Sequence, residues 1–315
     1  MKRASKMAVT MILPLMISGG FFMKRASAMA NADPFILLHN GTYYSFGTNH
    51  KDGFLAYESD DLITWHPVKN GRDGFVMRKE DVWGEKWFWA PEVYQIGEKF
   101  LLYFSAEAHI SCAEAASPLG PFVQKEKRPM TTAEEGRIDN HLFIDDDGKG
   151  YCFFSRFNDP AGGSAIWAGE VDPEYKMLKE ETLFRCIGLT EPWEQIENRV
   201  LEGPFVLKHR GKYYLTYSAN DYKSHDYAVG YAVADKITGP YIKTEKTPIL
   251  HRPDRMVGSG HHSFFKDKNG NLRIVFHVHK SKTEMHPREM VIGEACFDGD
   301  KLRIGDTFIL PRLED

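Results

Sequence analysis

The chain has 315 residues with 40 basic and 44 acidic side chains, a formal charge of −4, and 13% aromatic residues. That length suits one large domain or two modest ones, and the near-balanced charge gives no electrostatic case for binding nucleic acid or an anionic membrane. Four cysteines at 112, 152, 186 and 296 form no CxxC pair, and three of them stand in apolar strand-like runs, so buried thiols are expected rather than disulfides or a zinc site.

From the N-terminus, Lys2, Arg3 and Lys6 precede the apolar run MAVTMILPLMISGGFF (7–22), followed by small residues in ASAMANA (26–32). The pattern is that of a secretory signal, and sixteen residues interrupted by Pro14 are too few for a comfortable membrane span. A secreted or periplasmic protein is expected, with residues 1–30 signal-like or disordered. The repeated MKRAS at 1–5 and 23–27 leaves a second reading open, a cytoplasmic protein starting at Met23.

Beyond residue 30 the chain repeats itself. A turn glycine followed by an aromatic, β-rich strand occurs at GTYYSFGT (41–48), GEKFLLYFSA (97–106), GKGYCFFSR (148–156), GKYYLTYSA (211–219) and GNLRIVFHVH (270–279). The glycines lie 56, 51, 63 and 59 residues apart, and each copy is followed by a companion strand: FLAYESDDLITW, ISCAEAASPLGPF, IWAGEVDPEYKML, VGYAVADKITGPY and IGEACFDGDKLRI. Units of this period built wholly from short strands predict an all-β propeller, because one blade cannot bury both faces alone. Five units predict five blades in a single catalytic domain over 31–315.

Counting back eight or nine residues from each repeat glycine gives Asp33, Trp89, Asp139, Glu202 and His261. The innermost strands of a propeller line its axis, so these residues are expected to converge at one end of a central funnel. Three converging carboxylates cannot all ionise cheaply, so one stays protonated near neutrality, as a general acid requires, while another can draw a proton from water. That is the equipment for cleaving a glycosidic bond, with inversion if a water fits between acid and base. Each residue has a plainer reading as well. Asp33 and Asp139 suit turns, Trp89 suits a core, His261 can be a satisfied structural histidine, and Glu92 is the best alternative acid. Trp89, in WFW (87–89), and Trp193, in the loop before Glu202, are candidate faces for a sugar ring. His277 and His279 are read as merely alternating on a strand.

The chain resembles glycoside hydrolase family 43, five-bladed propellers acting on arabinose- and xylose-containing polysaccharides. The resemblance rests on ADPFI (32–36), WAPEV (89–93), RIDNHLF (137–143), LEGPF (201–205) and GSGHHSFF (258–265), in that order. It implies Asp33 as general base, Glu202 as general acid, and Asp139 as the residue that raises the pKa of Glu202 and orients it. It also implies His261 as the channel histidine that, directly or through water, holds a metal, usually a structural calcium, with no cofactor required for the chemistry. Arg288, in HPREM, resembles the last-blade arginine that reaches the substrate.

Invertase-like enzymes match poorly, since ADPF, RIDN and EGP stand where their motifs would be. A protein-interaction propeller lacks its signature residues here. A non-catalytic carbohydrate-binding propeller and a β-galactosidase or galactan-acting member remain alternatives. The chain ends about forty-five residues after its last repeat glycine, too short for an added β-sandwich. The expected activity is therefore release of non-reducing-end pentosyl residues by a monomer, from α-L-arabinofuranosides or arabinan and also β-xylosides.

Overall fold

A computed structural model describes residues 27–243 and 245–314. Five β-sheets are arranged as a five-bladed propeller, as the repeats predict. Their innermost strands are Ala32–His39, Trp89–Ile96, Arg137–Ile144, Leu201–His209 and Gly260–Lys266. Each pairs antiparallel with the strand that follows the repeat glycine. Those glycines sit in the tight turns with φ of 61–83°. In blades one and four the turn is Asn40–Gly41 and Arg210–Gly211, with left-handed backbone at both positions, the hairpin geometry that follows the right-handed twist of the strands.

Blades three, four and five have four strands, and blade two has three. Blade one is where the ring closes. Ser27–Ala28 pairs with Arg312–Leu313, which runs parallel to Thr64–Pro67. Ser27–Ala28 thus already takes part in the ring closure, a few residues ahead of the boundary at 30/31 read from the sequence; the apolar run at 7–22 lies outside the described residues. Closure is reinforced where Asn31 N–H donates to the Arg288 carbonyl at 3.2 Å and Met290 N–H to the Met29 carbonyl at 2.9 Å. These bonds bring the last blade against the residues preceding Asp33.

The second strands supply the core. Phe46, Phe104, Phe153, Tyr214, Tyr217 and Phe276 are fully or almost fully buried between blades, where such rings dominate the burial energy. Cys112 and Cys152 are buried free thiols, as expected, but Cys296 is exposed. Its position on blade five's third strand, between Ala295 inside and Phe297, points it to solvent.

All five inner strands carry the same irregularity near their start. Pairing slips between Ala32 and Phe35, Trp89 and Glu92, Ile138 and His141, Glu202 and Phe205, and Gly260 and Ser263. One residue in each bulge is left-handed: Asp33 (φ 49°), Ala90 (46°), Asp139 (59°), Gly203 (54°) and His261 (46°). A bulge re-aims the side chains around it, and here it does so five times around one axis. The backbone N–H at this position is held by the second strand of the preceding blade in four cases. Ala90 donates to Thr48 Oγ1, Asp139 to Ser105 Oγ and His261 to Ser218 Oγ, each at 2.9 Å, and Asp33 donates to His277 Nδ1 at 3.2 Å. The fifth, Gly203, donates instead to Asp139 Oδ2 at 3.3 Å.

Candidate active site

The bulges surround a narrow depression on the axis. Asp33, Ala90, Asp139, Gly203 and His261 line it, together with Pro34, Pro91, Pro204 and Glu92. Asp33, Asp139 and His261 occupy the equivalent places the repeat count assigned them. Trp89 and Glu202 do not: each precedes the bulge residue by one, so the equivalent positions in blades two and four are Ala90 and Gly203. In blade four the eight-or-nine count absorbed that slip; in blade two the equivalent residue, Ala90, lies seven before its repeat glycine and fell outside the count.

Asp33 is 7% exposed and surrounded by nitrogen. Arg288 donates to it from Nη1 (2.7 Å to Oδ1) and Nη2 (3.4 Å to Oδ2). His277 Nδ1 stands 3.3 Å and His261 Nδ1 3.4 Å from Oδ1. Burial alone would raise this carboxyl, but Arg288, His261 and His277 together hold it well below the usual carboxylate range. His277 is itself pushed down to about 3, by burial and then by the Arg288 charge, so the ring is neutral and Arg288 is the lasting positive partner.

Glu202 is 8% exposed and accepts the Tyr227 hydroxyl on Oε1 at 2.8 Å. Burial pushes its carboxyl up to about 7; the Tyr227 hydrogen bond opposes this, and the charges of Asp221 and Asp33 assist it. Asp139, equally buried, lies well above the carboxylate range through burial, then repulsion from Glu202 and Asp33. Glu202 is therefore among the charges that raise Asp139, the reverse of the influence the resemblance implied. The two do not both ionise at neutral pH, so the axis holds one ionised carboxylate, Asp33, and a pair that keeps a proton.

Glu92 reaches the same depression, but its Oε2 accepts from the Tyr94 hydroxyl and lies 2.9 Å from His141 Nδ1. Those bonds tie it into the channel wall and agree with its lower rank as an acid. Trp89 is half-buried at the rim and stacks on Trp87 with centroids 5.8 Å apart and planes 16° off parallel. Trp87 is 49% exposed, so the pair presents an open aromatic edge next to pocket-lining Ala90.

Trp193 is elsewhere. It lies on the short turn Pro192–Gln195 and stacks on Tyr217 at 6.0 Å. The space it fills exists because residue 230 is glycine; a Cβ there would stand 2.6 Å from the indole. Trp193 therefore packs against blade four, and its contacts do not extend to the axial depression.

His261 offers no cage for the metal that the resemblance implies. Its Nδ1 faces Asp33, and among the described residues no three His, Cys, Asp or Glu side chains converge on a common point. Calcium takes six to eight oxygens, so these residues do not fit a protein-ligated calcium, and no step is routed through one. Among the described residues, the Nδ1 of His261 lies beside Asp33.

Two site residues escaped the sequence reading. His277, dismissed as alternation on a strand, stands in the column of Thr48, Ser105, Ser155 and Ser218, which follows the aromatic core residues of the second strands. A column of hydrogen-bonding side chains with one imidazole was the available signal. Tyr227 comes from the irregular segment before blade four's third strand, where no repeat register reaches.

A propeller that gathers an ionised carboxylate and a proton-holding carboxyl pair at its axis is built to hydrolyse glycosidic bonds. The family model for glycosyl hydrolases family 43 matches residues 26–301. The chain belongs to that family of inverting glycosidases and is a glycoside hydrolase with a carbohydrate substrate. Among solved structures it is similar to an endo-1,4-beta-xylanase from Bacteroides thetaiotaomicron, at 38% identity and a TM-score of 0.86 over 92% of this chain and 99% of that one. Among characterised relatives it is 30% identical to a beta-xylosidase of Xylanibacter ruminicola, covering 75% of this chain and 84% of that one. It is 28% identical to a beta-D-galactofuranosidase of Aspergillus niger, over 78% and 73% of the two chains.

Proposed function

We propose that the enzyme removes single pentosyl residues, α-L-arabinofuranosyl or β-xylosyl, from the non-reducing ends of plant polysaccharides or oligosaccharides. In this scheme Asp33 is the general base, Glu202 the general acid, and Asp139 the partner that keeps Glu202 protonated and aligned. The observation that carries it is the opposed electrostatics of the two catalytic carboxyls. Arg288 holds Asp33 ionised, whereas burial holds Glu202 at about 7, where it can give up a proton near neutral pH. A base that is always charged and an acid that is half protonated at pH 7 divide the two proton tasks without exchanging roles. In this scheme the exposed Trp87–Trp89 edge offers a face to the leaving group.

The greater likeness to a protein described as an endo-1,4-beta-xylanase supports a second reading, internal cleavage of xylan. A panel of nitrophenyl pentosides and galactosides, run beside arabinan and xylan, separates the two. Terminal action releases monosaccharide from the first minutes, and internal cleavage releases a ladder of oligomers. Proton NMR of the first product tests inversion, since a retained anomer contradicts Asp33 as a base acting through water. Turnover of galactosides alone would transfer the assignment to that sugar, and no turnover of any glycoside would favour a binding propeller.

The proposal includes export, on the strength of the basic and apolar N-terminal pattern, and action as a monomer. N-terminal sequencing of protein from the native host checks the first, because a chain starting at Met23 in the cytoplasm would contradict it.

A further inference from the structure

Glu202 must offer its proton in one direction, and a carboxyl has two oxygens from which to offer it. Oε1 is occupied by the Tyr227 hydroxyl at 2.8 Å. Tyr227 is fully buried and has little freedom to leave. Its ring lies nearly parallel to the His277 imidazole, at 5.7 Å and 23°. It also passes so close to Gly260 that a Cβ there would stand 2.3 Å from a ring carbon. Its backbone is pinned too: the N–H donates to the Ser224 carbonyl at 3.3 Å, and its carbonyl accepts from Ser259 Oγ at 3.4 Å. The same His277 ring contacts Asp33 through Nδ1 and Arg288 through Nε2 at 3.4 Å. One rigid wall, Tyr227 against His277, thus joins the acid to the base.

We propose that Tyr227 is the positioning residue of the acid: by holding Oε1 it directs the catalytic proton to Oε2 and stabilises the carboxylate left after that proton has gone. The inference rests on Glu202 being the general acid. In the forward step the Oε2–H bond breaks and the proton passes to the glycosidic oxygen. The carbon–oxygen bond breaks with its electron pair on the leaving group, which departs as a neutral alcohol, while a water that gives its proton to Asp33 bonds to the anomeric carbon, and Glu202 is left as a carboxylate. Tyr227 keeps its own proton throughout. Burial, and then the charge of Glu202, hold its hydroxyl well above the ordinary tyrosine range. Its hydrogen bond changes from one with a neutral acceptor to one with a charged acceptor, so it is stronger in the transition state than in the ground state, as catalysis requires.

The other groups that face Glu202 are Asp139 with the Gly203 N–H from blades three and four, Asp221 from the loop after blade four's second strand, Asp33 from blade one and Arg288 from blade five. All remain in Tyr227→Phe, which also keeps the ring stack and the contact with Gly260. The variant removes only the donor. With the carboxylate less stabilised, the pKa of Glu202 rises, so the alkaline limb of the kcat/KM profile moves to higher pH.

The test compares wild type, Tyr227→Phe and Glu202→Ala on a pentosyl disaccharide and on a nitrophenyl pentoside across the pH range. Tyr227→Phe is expected to lose roughly ten- to a hundredfold on the disaccharide, in line with a lost hydrogen bond to a charged group. A smaller loss is expected on the nitrophenyl substrate, with the alkaline limb shifted upward. An unshifted limb with equal losses on both substrates overturns the proposal and leaves Tyr227 as packing. If Glu202→Ala itself shows no leaving-group selectivity, the assignment of the acid fails first, and that separate result overturns this proposal with it. Thermal melting of both variants shows whether either change acts through folding.

Discussion

Asp139 Oδ2 accepts the backbone N–H of Gly203 at 3.3 Å, where the other four blades use a side chain of the preceding second strand. Its would-be counterpart, Ser155, is turned to the Leu201 carbonyl at 2.6 Å instead. Asp139 therefore holds the backbone immediately after Glu202, and its charge and its hydrogen bond act on the acid together. Replacing Asp139 by Asn leaves Glu202 as the one titrating carboxyl of the pair while an amide oxygen can still accept from Gly203. In the microstate the scheme uses, with the shared proton on Glu202 and the charge on Asp139, that repulsion is lost, so the alkaline limb of the pH–rate profile should move to lower pH. Activity at neutral pH should fall and partly recover on acidification. An unmoved alkaline limb would mean that the two carboxyls are not coupled.

Arg288 controls the other limb. It is the lasting positive charge on Asp33, because the neighbouring His277 is neutral at any pH near 7. In Arg288→Met the carboxyl keeps its burial but loses its main counter-charge, so its pKa must rise. The acidic limb should shift to higher pH and the rate at pH 5 should drop more than the rate at pH 8. A pH-rate profile of this variant reads the shift directly. A uniform loss at every pH would assign Arg288 to substrate binding alone.

The same electrostatics make a prediction about stability. Glu202 is raised in the folded protein from 4.5 to about 7. A raised carboxyl favours the folded state while both states are protonated. It then costs stability progressively as pH climbs from the unfolded value through the folded one. The interval corresponds to on the order of 3 kcal/mol, shared with Asp139 through their coupling. Glu202→Gln should therefore melt a few degrees higher than wild type at pH 8, and the gain should vanish near pH 4. Scanning calorimetry at the two pH values checks this; equal melting shifts at both would show that ionisation of Glu202 is not destabilising.

Trp193 gives a prediction of the opposite kind. Its indole packs between Tyr217 and the backbone of Gly230, away from the axial depression. Trp193→Ala should lower stability by about 3 kcal/mol, the lower end for losing a large aromatic from a core, and leave KM within a factor of two. A large rise in KM with an unchanged melting temperature would return this residue to the substrate site.

The repeat architecture was legible because five turn glycines and five aromatic strands recur at blade spacing, and the hairpin glycines do adopt left-handed backbone. Asp33, Asp139 and His261 were legible for the same reason, being equivalent residues of equivalent bulges. The slip at Glu202 and Trp89 was not, because a count that tolerates eight or nine residues cannot detect a shift of one and excludes Ala90 at seven, and a one-residue shift in a strand reverses the side chain. Glu202 is held by Tyr227 from within its own blade, and such a contact has no periodic signature. The packing of Trp193 on Gly230 was not legible, because composition identifies an aromatic without saying which glycine leaves room for it. The relation of Arg288 to Asp33 spans 255 residues and depends on ring closure, which the resemblance supplied and residue patterns did not.

The most direct measurement is the rate of Glu202→Ala on two substrates that share a pentosyl group and differ only in the leaving group, an unactivated sugar and a nitrophenol. Glu202 as the general acid predicts that turnover of the first falls by several orders of magnitude. Much more of the nitrophenyl rate should survive, because that leaving group departs without a proton. An equal loss on both would contradict the role, and with it the division of labour between a carboxylate held ionised by Arg288 and a carboxyl held protonated by burial.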